Sequence, residues 1–202
     1  MLIDEKLQQR SWISFFSQTG QELCELIQLL DWQPDVIVTN RSFSKVADIS
    51  DSLRNVYKGL WVFTPSKSSV LNYEQAIRCH LNPNPPIITL HGWLRVIPEE
   101  ICKYEIWNGH PGLITTYPEL KGKDPQNKVI ANLSLYSKIG SVIHRVTPGV
   151  DEGKICVEVS TLNTCTTPDS VYSTLRTTSL KAWEEFFKNY SSIITEPIGI
   201  TI

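Results

Sequence analysis

The sequence predicts an α/β protein: an open, mostly parallel twisted sheet with helices on both faces, formed as one domain over residues 1–202. Three observations predict it. Apolar runs of four or five residues alternate with segments whose apolar positions recur at helical spacing, the pattern of strands joined by crossover helices. No linker divides the chain, because the Pro-rich patch 82–86 is short enough to be an ordinary connection into a strand. Polar and glycine-containing segments follow the strand candidates at residues 17–20, 39–41, 91–95 and 108–111. In open sheets of this kind ligands lie beyond the carboxyl ends of the strands, where the strand order reverses.

Taken in order, Trp12–Phe16 is an aromatic apolar strand, residues 17–20 a turn, and residues 22–30 a helix with Leu23, Leu26, Ile27 and Leu30 on one stripe. Val36–Thr39 completes a β-α-β unit. Residues 41–58 carry Phe43, Val46, Ile49, Leu53 and Val56 as on an amphipathic helix, and Leu60–Phe63 is a third strand. Ser68 or Ser69 caps a helix bearing Val70, Tyr73, Ile77 and His80, which Pro83 ends. Ile87–Leu90 follows as a strand. Pro98-Glu99-Glu100 marks a helix start, since Pro tolerates the first turn and carboxylates suit the positive end of the dipole. A fifth strand is expected at 105–108, a loop at 109–122, a helix at 125–136, strands at 142–146 and 155–159, and a last helix at 169–190. The aromatic stripe of that helix, Trp183, Phe186, Phe187 and Tyr190, is expected to cover the sheet; the apolar tail beyond residue 193 forms an edge strand or stays loose.

With 41% apolar and 20% charged residues and a formal net charge of -2, the composition is that of a soluble globular protein and offers nucleic acid no electrostatic footing. The absence of a long apolar run or a signal-peptide core in the sequence leads us to expect no membrane association and a cytoplasmic location. Five scattered cysteines without Cys-x-x-Cys spacing argue against a disulfide framework or structural zinc, and no metal is expected. The chain is expected to be a monomer or homodimer.

Chemistry concentrates in two clusters. In Trp107-Asn108-Gly109-His110-Pro111, residues i and i+2 of a strand end face one volume, so an amide and an imidazole share it. An Asn amide donates to a developing oxyanion, and His exchanges protons near neutrality. An Asn-x-His-Pro segment is also what a capped turn looks like. The second cluster runs from Gly140 to Ile155: a strand with His144, a turn-rich loop with Asp151, and another strand. A carboxylate on such a loop can fold over the sheet edge toward an imidazole; Asp151 also suits a solvated turn.

Leu90-His91-Gly92-Trp93-Leu94-Arg95-Val96-Ile97, then Asn108-x-His110-Pro111, then Gly140, His144 and Val150-Asp151-x-Gly153-x-Ile155 resemble the catalytic domain of the 10-formyltetrahydrofolate-dependent formyltransferases. That family includes glycinamide ribonucleotide transformylase, methionyl-tRNA formyltransferase and the sugar N-formyltransferases. The resemblance spans residues 13–190 and implies a Rossmann-like fold. It implies that Asn108 and a protonated His110 stabilise the oxyanion of the tetrahedral intermediate, while Asp151 assists proton transfer and keeps His110 charged. It also implies that folate lies against Leu94, Arg95, Val96 and Ile97, its pterin hydrogen-bonding mainly to backbone there and in the loop around Val146 to Asp151, with Val146 and Val150 as contacts. His144 would support that loop.

Two departures bear on the acceptor. Purine-pathway members carry Gly-Ser-Asn at the first turn, where this chain has Gly20-Gln21-Glu22. A Gly before a helix still offers backbone amides to an anion, but Glu22 would repel a phosphate. His110-Pro111-Gly112 resembles the sugar N-formyltransferases instead. Gly20, Lys121 and Lys123 are the expected acceptor contacts. The resemblance therefore points to formyl transfer onto a primary amine of a small molecule, foremost a nucleotide-linked amino sugar, with glycinamide ribonucleotide as the second acceptor. Hydrolysis with water as acceptor, and a non-catalytic folate- or nucleotide-binding module, are the remaining readings.

Overall fold

The computed structural model describes residues 2–42, 48–65, 69–78 and 84–202. A four-residue helix α1 (Glu5–Gln8) precedes β1 (Trp12–Phe16), α2 (Gln21–Leu30), β2 (Val36–Thr39), α3 (Asp51–Val56), β3 (Leu60–Phe63), α4 (Val70–Arg78), β4 (Ile87–Leu90) and β5 (Ile106–His110). Then come α5 (Pro125–Ala131), β6 (Lys138–Arg145), β7 (Ile155–Leu162), the long α6 (Pro168–Ile193) and β8 (Ile198–Thr201). The strands form one sheet in the order β3-β2-β1-β4-β5-β6-β7-β8. Pairing is parallel except where β6 runs antiparallel to β5 and β7. The predicted open, mostly parallel sheet is the one observed.

The central strands β1, β2 and β4 are mostly apolar and buried because both faces are covered. Alternation along β1 sends Trp12 and Phe16 into a core built with α2 and α6, and Ile13 and Phe15 into a second core under α4. A third cluster joins α5, β6 and the start of α6. Trp183, Phe186, Phe187 and Tyr190 of α6 are buried against the sheet as expected. Its start is fixed by Thr167, whose hydroxyl accepts from the Ser170 amide in a capping box, with Pro168 following. Tail residues 198–201 add β8 as an edge strand.

Several boundaries moved. Among the described residues of the 41–58 segment the helix is Asp51–Val56, where Ser50 caps the first turn through the Leu53 amide; Phe43 and Val46 lie outside the described residues. So do Ser68, Cys79, His80 and Pro83. The Pro98 helix is a single 3-10 turn, Glu99–Ile101. The expected 125–136 helix breaks at Asn132, whose φ of -143° is not helical, and resumes as a 3-10 turn. Strand β5 extends through His110, because pairing with the longer β6 continues its ladder. Gly109 and His110 are therefore strand, not loop.

The strand order reverses between β1, whose crossover leads to β2, and β4 on its other side. That switch point opens a crevice above their carboxyl ends. The loops after the two strands are tied together: Ser17 N–H donates to Gly92 O at 3.3 Å, and Leu94 N–H donates to Ser17 Oγ at 2.9 Å.

Candidate active site

Asn108 and His110 sit two residues apart on β5, and β6 lays His144 directly opposite Asn108. Asn108 Nδ2 lies 3.1 Å from His144 Nε2. The β6–β7 connection then folds back over the sheet edge. Gly153 permits this, because a Cβ there would fall on the Arg145 carbonyl. Asp151 adopts a left-handed φ of 52°, and its carboxylate spans both imidazoles: Oδ2 is 3.2 Å from His110 Nδ1, and Oδ1 is 3.3 Å from His144 Nε2. The Gly122 amide donates to Oδ2 at 2.8 Å, so the loop through Gly122 helps hold the carboxylate. The three residues named from sequence, with His144, converge at one point.

Hydrogen-bond partners assign the protons. His144 Nδ1 faces the Arg145 carbonyl at 3.0 Å and so carries a proton, while Nε2 lies between Asn108 Nδ2 at 3.1 Å and Asp151 Oδ1 at 3.3 Å. His110 Nε2 faces the Leu120 carbonyl at 2.9 Å and likewise donates. For His110, burial drives the pKa below the ordinary imidazole value, although the Asp151 charge and the Leu120 carbonyl pull upward. The protonated resting His110 expected from the resemblance is thus disfavoured in this site. Burial works to raise the Asp151 pKa, yet hydrogen bonding with His144, the charge on His110 and the Gly122 amide outweigh it, and the net direction is down. Asp151 is ionised at neutral pH. A single proton delivered to the Nδ1···Oδ2 contact leaves both ring nitrogens of His110 donating to oxygen.

Folding stability should respond accordingly. A folded-state pKa below the unfolded value of about 6.5 means that the unfolded chain takes up a proton first as pH falls. The His110 contribution is complete above about pH 6.5 and is lost as pH drops through its lower folded value. Urea midpoints measured downward from pH 7.5 are expected to decline in that window, and His110→Gln to flatten the decline. A profile identical in the two proteins would show that His110 does not carry it.

Gly109 has a packing reason for its identity. A Cβ there would stand 2.7 Å from Nε1 of Trp183, a fully buried ring on α6. Gly109→Ala must push that ring or bend β5 between Asn108 and His110; it is expected to cost about 1–3 kcal/mol. Denaturant unfolding measures it, and an unchanged midpoint would contradict the close packing.

A cavity of about 1190 Å³ opens over these residues. Leu94, Arg95, Val96, Ile97, Val146 and Val150 all line it, as the folate expectation requires. Leu94, Val96 and Val150 expose apolar surface, while Ile97 is buried beneath. The walls suit a flat, partly apolar ligand, but the Leu94 amide is already committed to Ser17 and its carbonyl accepts from Arg95 Nη1. Gly20 and Lys123 reach the cavity; Lys121 does not line it, its carbonyl instead accepting from Lys128 Nζ at 2.9 Å. Of the three expected acceptor contacts, Lys121 is the one absent from the cavity lining. Sequence reasoning missed His91, Arg176 and Ser179, which also line it. A histidine directly after a fully buried strand was the available signal for His91. Among the described residues no group of three or more His, Cys, Asp or Glu side chains is arranged to hold a metal ion, and no helix is long and apolar enough to cross a membrane.

No protein-family model and no curated protein sequence matches the chain. Solved structures do. A phosphoribosylglycinamide formyltransferase from Streptococcus pneumoniae TIGR4 is similar with a TM-score of 0.72 at 18% identity, over 91% of this chain and 99% of the other. The phosphoribosylglycinamide formyltransferase from Anaplasma phagocytophilum gives 0.72 at 16% identity over 90% and 86%. A formyltetrahydrofolate deformylase from Pseudomonas syringae pv. tomato gives 0.68 at 14% identity, over 90% of this chain and 61% of the other. The chain has the fold of these structures.

Proposed function

We propose that the protein transfers a formyl group from 10-formyltetrahydrofolate to a primary amine of a small acceptor. The observation that carries this reading is the Asp151 carboxylate bridging His110 and His144 beside the Asn108 amide, at the mouth of a cleft large enough for two ligands. The donor brings an activated N-formyl carbon as substrate. In the reaction a C–N bond forms between the amine and that carbon, the bond to the donor nitrogen breaks, and one proton passes from the attacking amine to the leaving nitrogen. Asn108 has a second amide N–H to offer the oxygen on which charge develops. Asp151 takes the amine proton and shares it with His110 Nδ1; the imidazolium so formed adds positive charge beside the oxyanion. The proton is later returned to the departing nitrogen. His144 holds the Asn108 amide and Asp151 in register.

Among acceptors we favour a nucleotide-linked amino sugar, on the His110-Pro111-Gly112 sequence and on Glu22 in the first turn of α2. Glycinamide ribonucleotide is the second reading, favoured by the similarity to phosphoribosylglycinamide formyltransferase structures. Incubation with 10-formyltetrahydrofolate and a panel of both amine classes, read by mass, should yield a product heavier by one formyl group. Formate release without any amine would instead identify water as the acceptor, and donor binding with no product from any amine would leave a binding module.

A further inference from the structure

Two backbone groups of the loop that leads from β5 to α5 touch the site. The Leu120 carbonyl accepts from His110 Nε2 at 2.9 Å, and the Gly122 amide donates to Asp151 Oδ2 at 2.8 Å. Packing alone does not aim them. The Leu120 side chain is buried in the cluster that holds Val129 of α5 and Val142 of β6, which fixes where Leu120 sits but leaves the neighbouring peptide planes free to turn. Gly122 has a left-handed φ of 80°, and apart from its chain neighbours no atom of the described residues lies within 4 Å of where a Cβ would stand. Sterics there permit many backbone settings.

Lys128 supplies the missing restraint. From α5 its ammonium reaches back over the loop, and Nζ donates to the Glu119 carbonyl at 2.6 Å and to the Lys121 carbonyl at 2.9 Å. These are the carbonyls on either side of that of Leu120. The Lys121 carbonyl belongs to the same peptide unit as the Gly122 N–H, so a cation on its oxygen fixes the plane of that amide and polarises its N–H toward Asp151. The Glu119 carbonyl shares its unit with the Leu120 N–H, which donates to Tyr117 O at 2.9 Å and closes the 3-10 turn Pro118–Leu120. Lys128 is not among the residues that line the cavity, so its path to the chemistry runs through this loop.

We propose that Lys128 is a positioning residue of the formyl-transfer site, holding the loop peptides so that Leu120 O faces His110 and the Gly122 N–H faces Asp151. The inference rests on the formyl-transfer reading above. A purely electrostatic role has the opposite sign. The Lys128 charge works to lower the His110 pKa, against the imidazolium that the reaction forms. Were charge the whole effect, removing the ammonium would ease that step and raise turnover; with positioning, turnover falls.

Lys128→Met removes the ammonium but keeps the aliphatic stem and the helix-forming tendency of the position. In that variant kcat for tetrahydrofolate formation from 10-formyltetrahydrofolate, with the acceptor panel above, is expected to fall about ten- to a hundredfold. KM for the donor and calorimetric binding of 5-formyltetrahydrofolate should stay within about threefold of the wild type. Lys128→Arg, whose guanidinium can donate to both carbonyls, is expected to recover most of the loss. Amide exchange followed by NMR reads the loop directly: the Gly122 N–H should exchange at least about tenfold faster in Lys128→Met, while the urea midpoint, set by the buried clusters, moves little. Turnover equal to or above the wild type, Gly122 exchange unchanged in Lys128→Met, or a lowered urea midpoint with kcat retained overturns the proposal. So does a Gly122 amide that exchanges in the wild type as freely as in an unstructured chain, a result that needs no variant. The two readings fail separately. No 5-formyltetrahydrofolate binding and no tetrahydrofolate formation by the wild type sinks formyl transfer, and Gly122 exchange then decides whether Lys128 holds the loop.

Discussion

Asp151→Asn is expected to lower turnover by about 10³-fold, with little change in affinity for the formyl donor. The substitution keeps the size of the side chain and leaves one carbonyl oxygen able to accept from the Gly122 amide. It removes the negative charge that faces His110 at 3.2 Å and His144 at 3.3 Å, and with it the place where the amine proton is held. Burial then acts on His110 against the Leu120 carbonyl alone, so the imidazolium becomes harder to form just when it is needed. Steady-state and single-turnover rates with a competent amine measure the effect. Turnover within about threefold of the wild type would remove Asp151 from the chemistry and reduce it to a loop anchor.

The second large effect is expected from Asn108→Asp, about 10²- to 10³-fold in turnover. The shape is unchanged, but an N–H donor becomes a carboxylate oxygen. That oxygen faces His144 Nε2 at about the 3.1 Å of the native pair and adds a second negative charge beside Asp151. The site then repels the oxyanion it is meant to stabilise. Asn108→Ala separates the two causes: it loses the donor without adding charge and should be less damaged than Asn108→Asp. If both variants are equally slow, loss of the donor alone accounts for the defect; if neither is slow, the amide does not contact the reacting oxygen.

Parts of this site were legible before the fold was known. The strands β1 to β4 could be read to the residue because each is a short, mostly apolar run closed by a turn or a proline; β1, β2 and β4 are buried on both faces, while β3 at the sheet edge is partly exposed. The i, i+2 spacing of Asn108 and His110 already put them on one side of a strand. What spacing left open was whether they sat in a loop or in the ladder, since the extension of β5 through His110 comes from pairing with β6. The amphipathic pattern over residues 41–58 overreached for the opposite reason. Helical spacing marks which side chains are apolar, but a helix also needs a cap and neighbours, and the described part forms only after Ser50 supplies the cap.

The sequence by itself determined the sheet class, the position of the cleft at the strand ends, and the identities of an amide, an imidazole and a carboxylate suited to acyl chemistry. Those follow from local pattern and side-chain type. Only the tertiary structure decided that the three meet, that His110 is buried enough to resist protonation, and that His91 stands opposite Glu22. Each of these depends on contacts between residues far apart in the chain: β5 with β6, the Asp151 loop with Gly122, and Trp183 of α6 behind Gly109 and His91. Distances and desolvation set the chemistry, and neither is written in residue order.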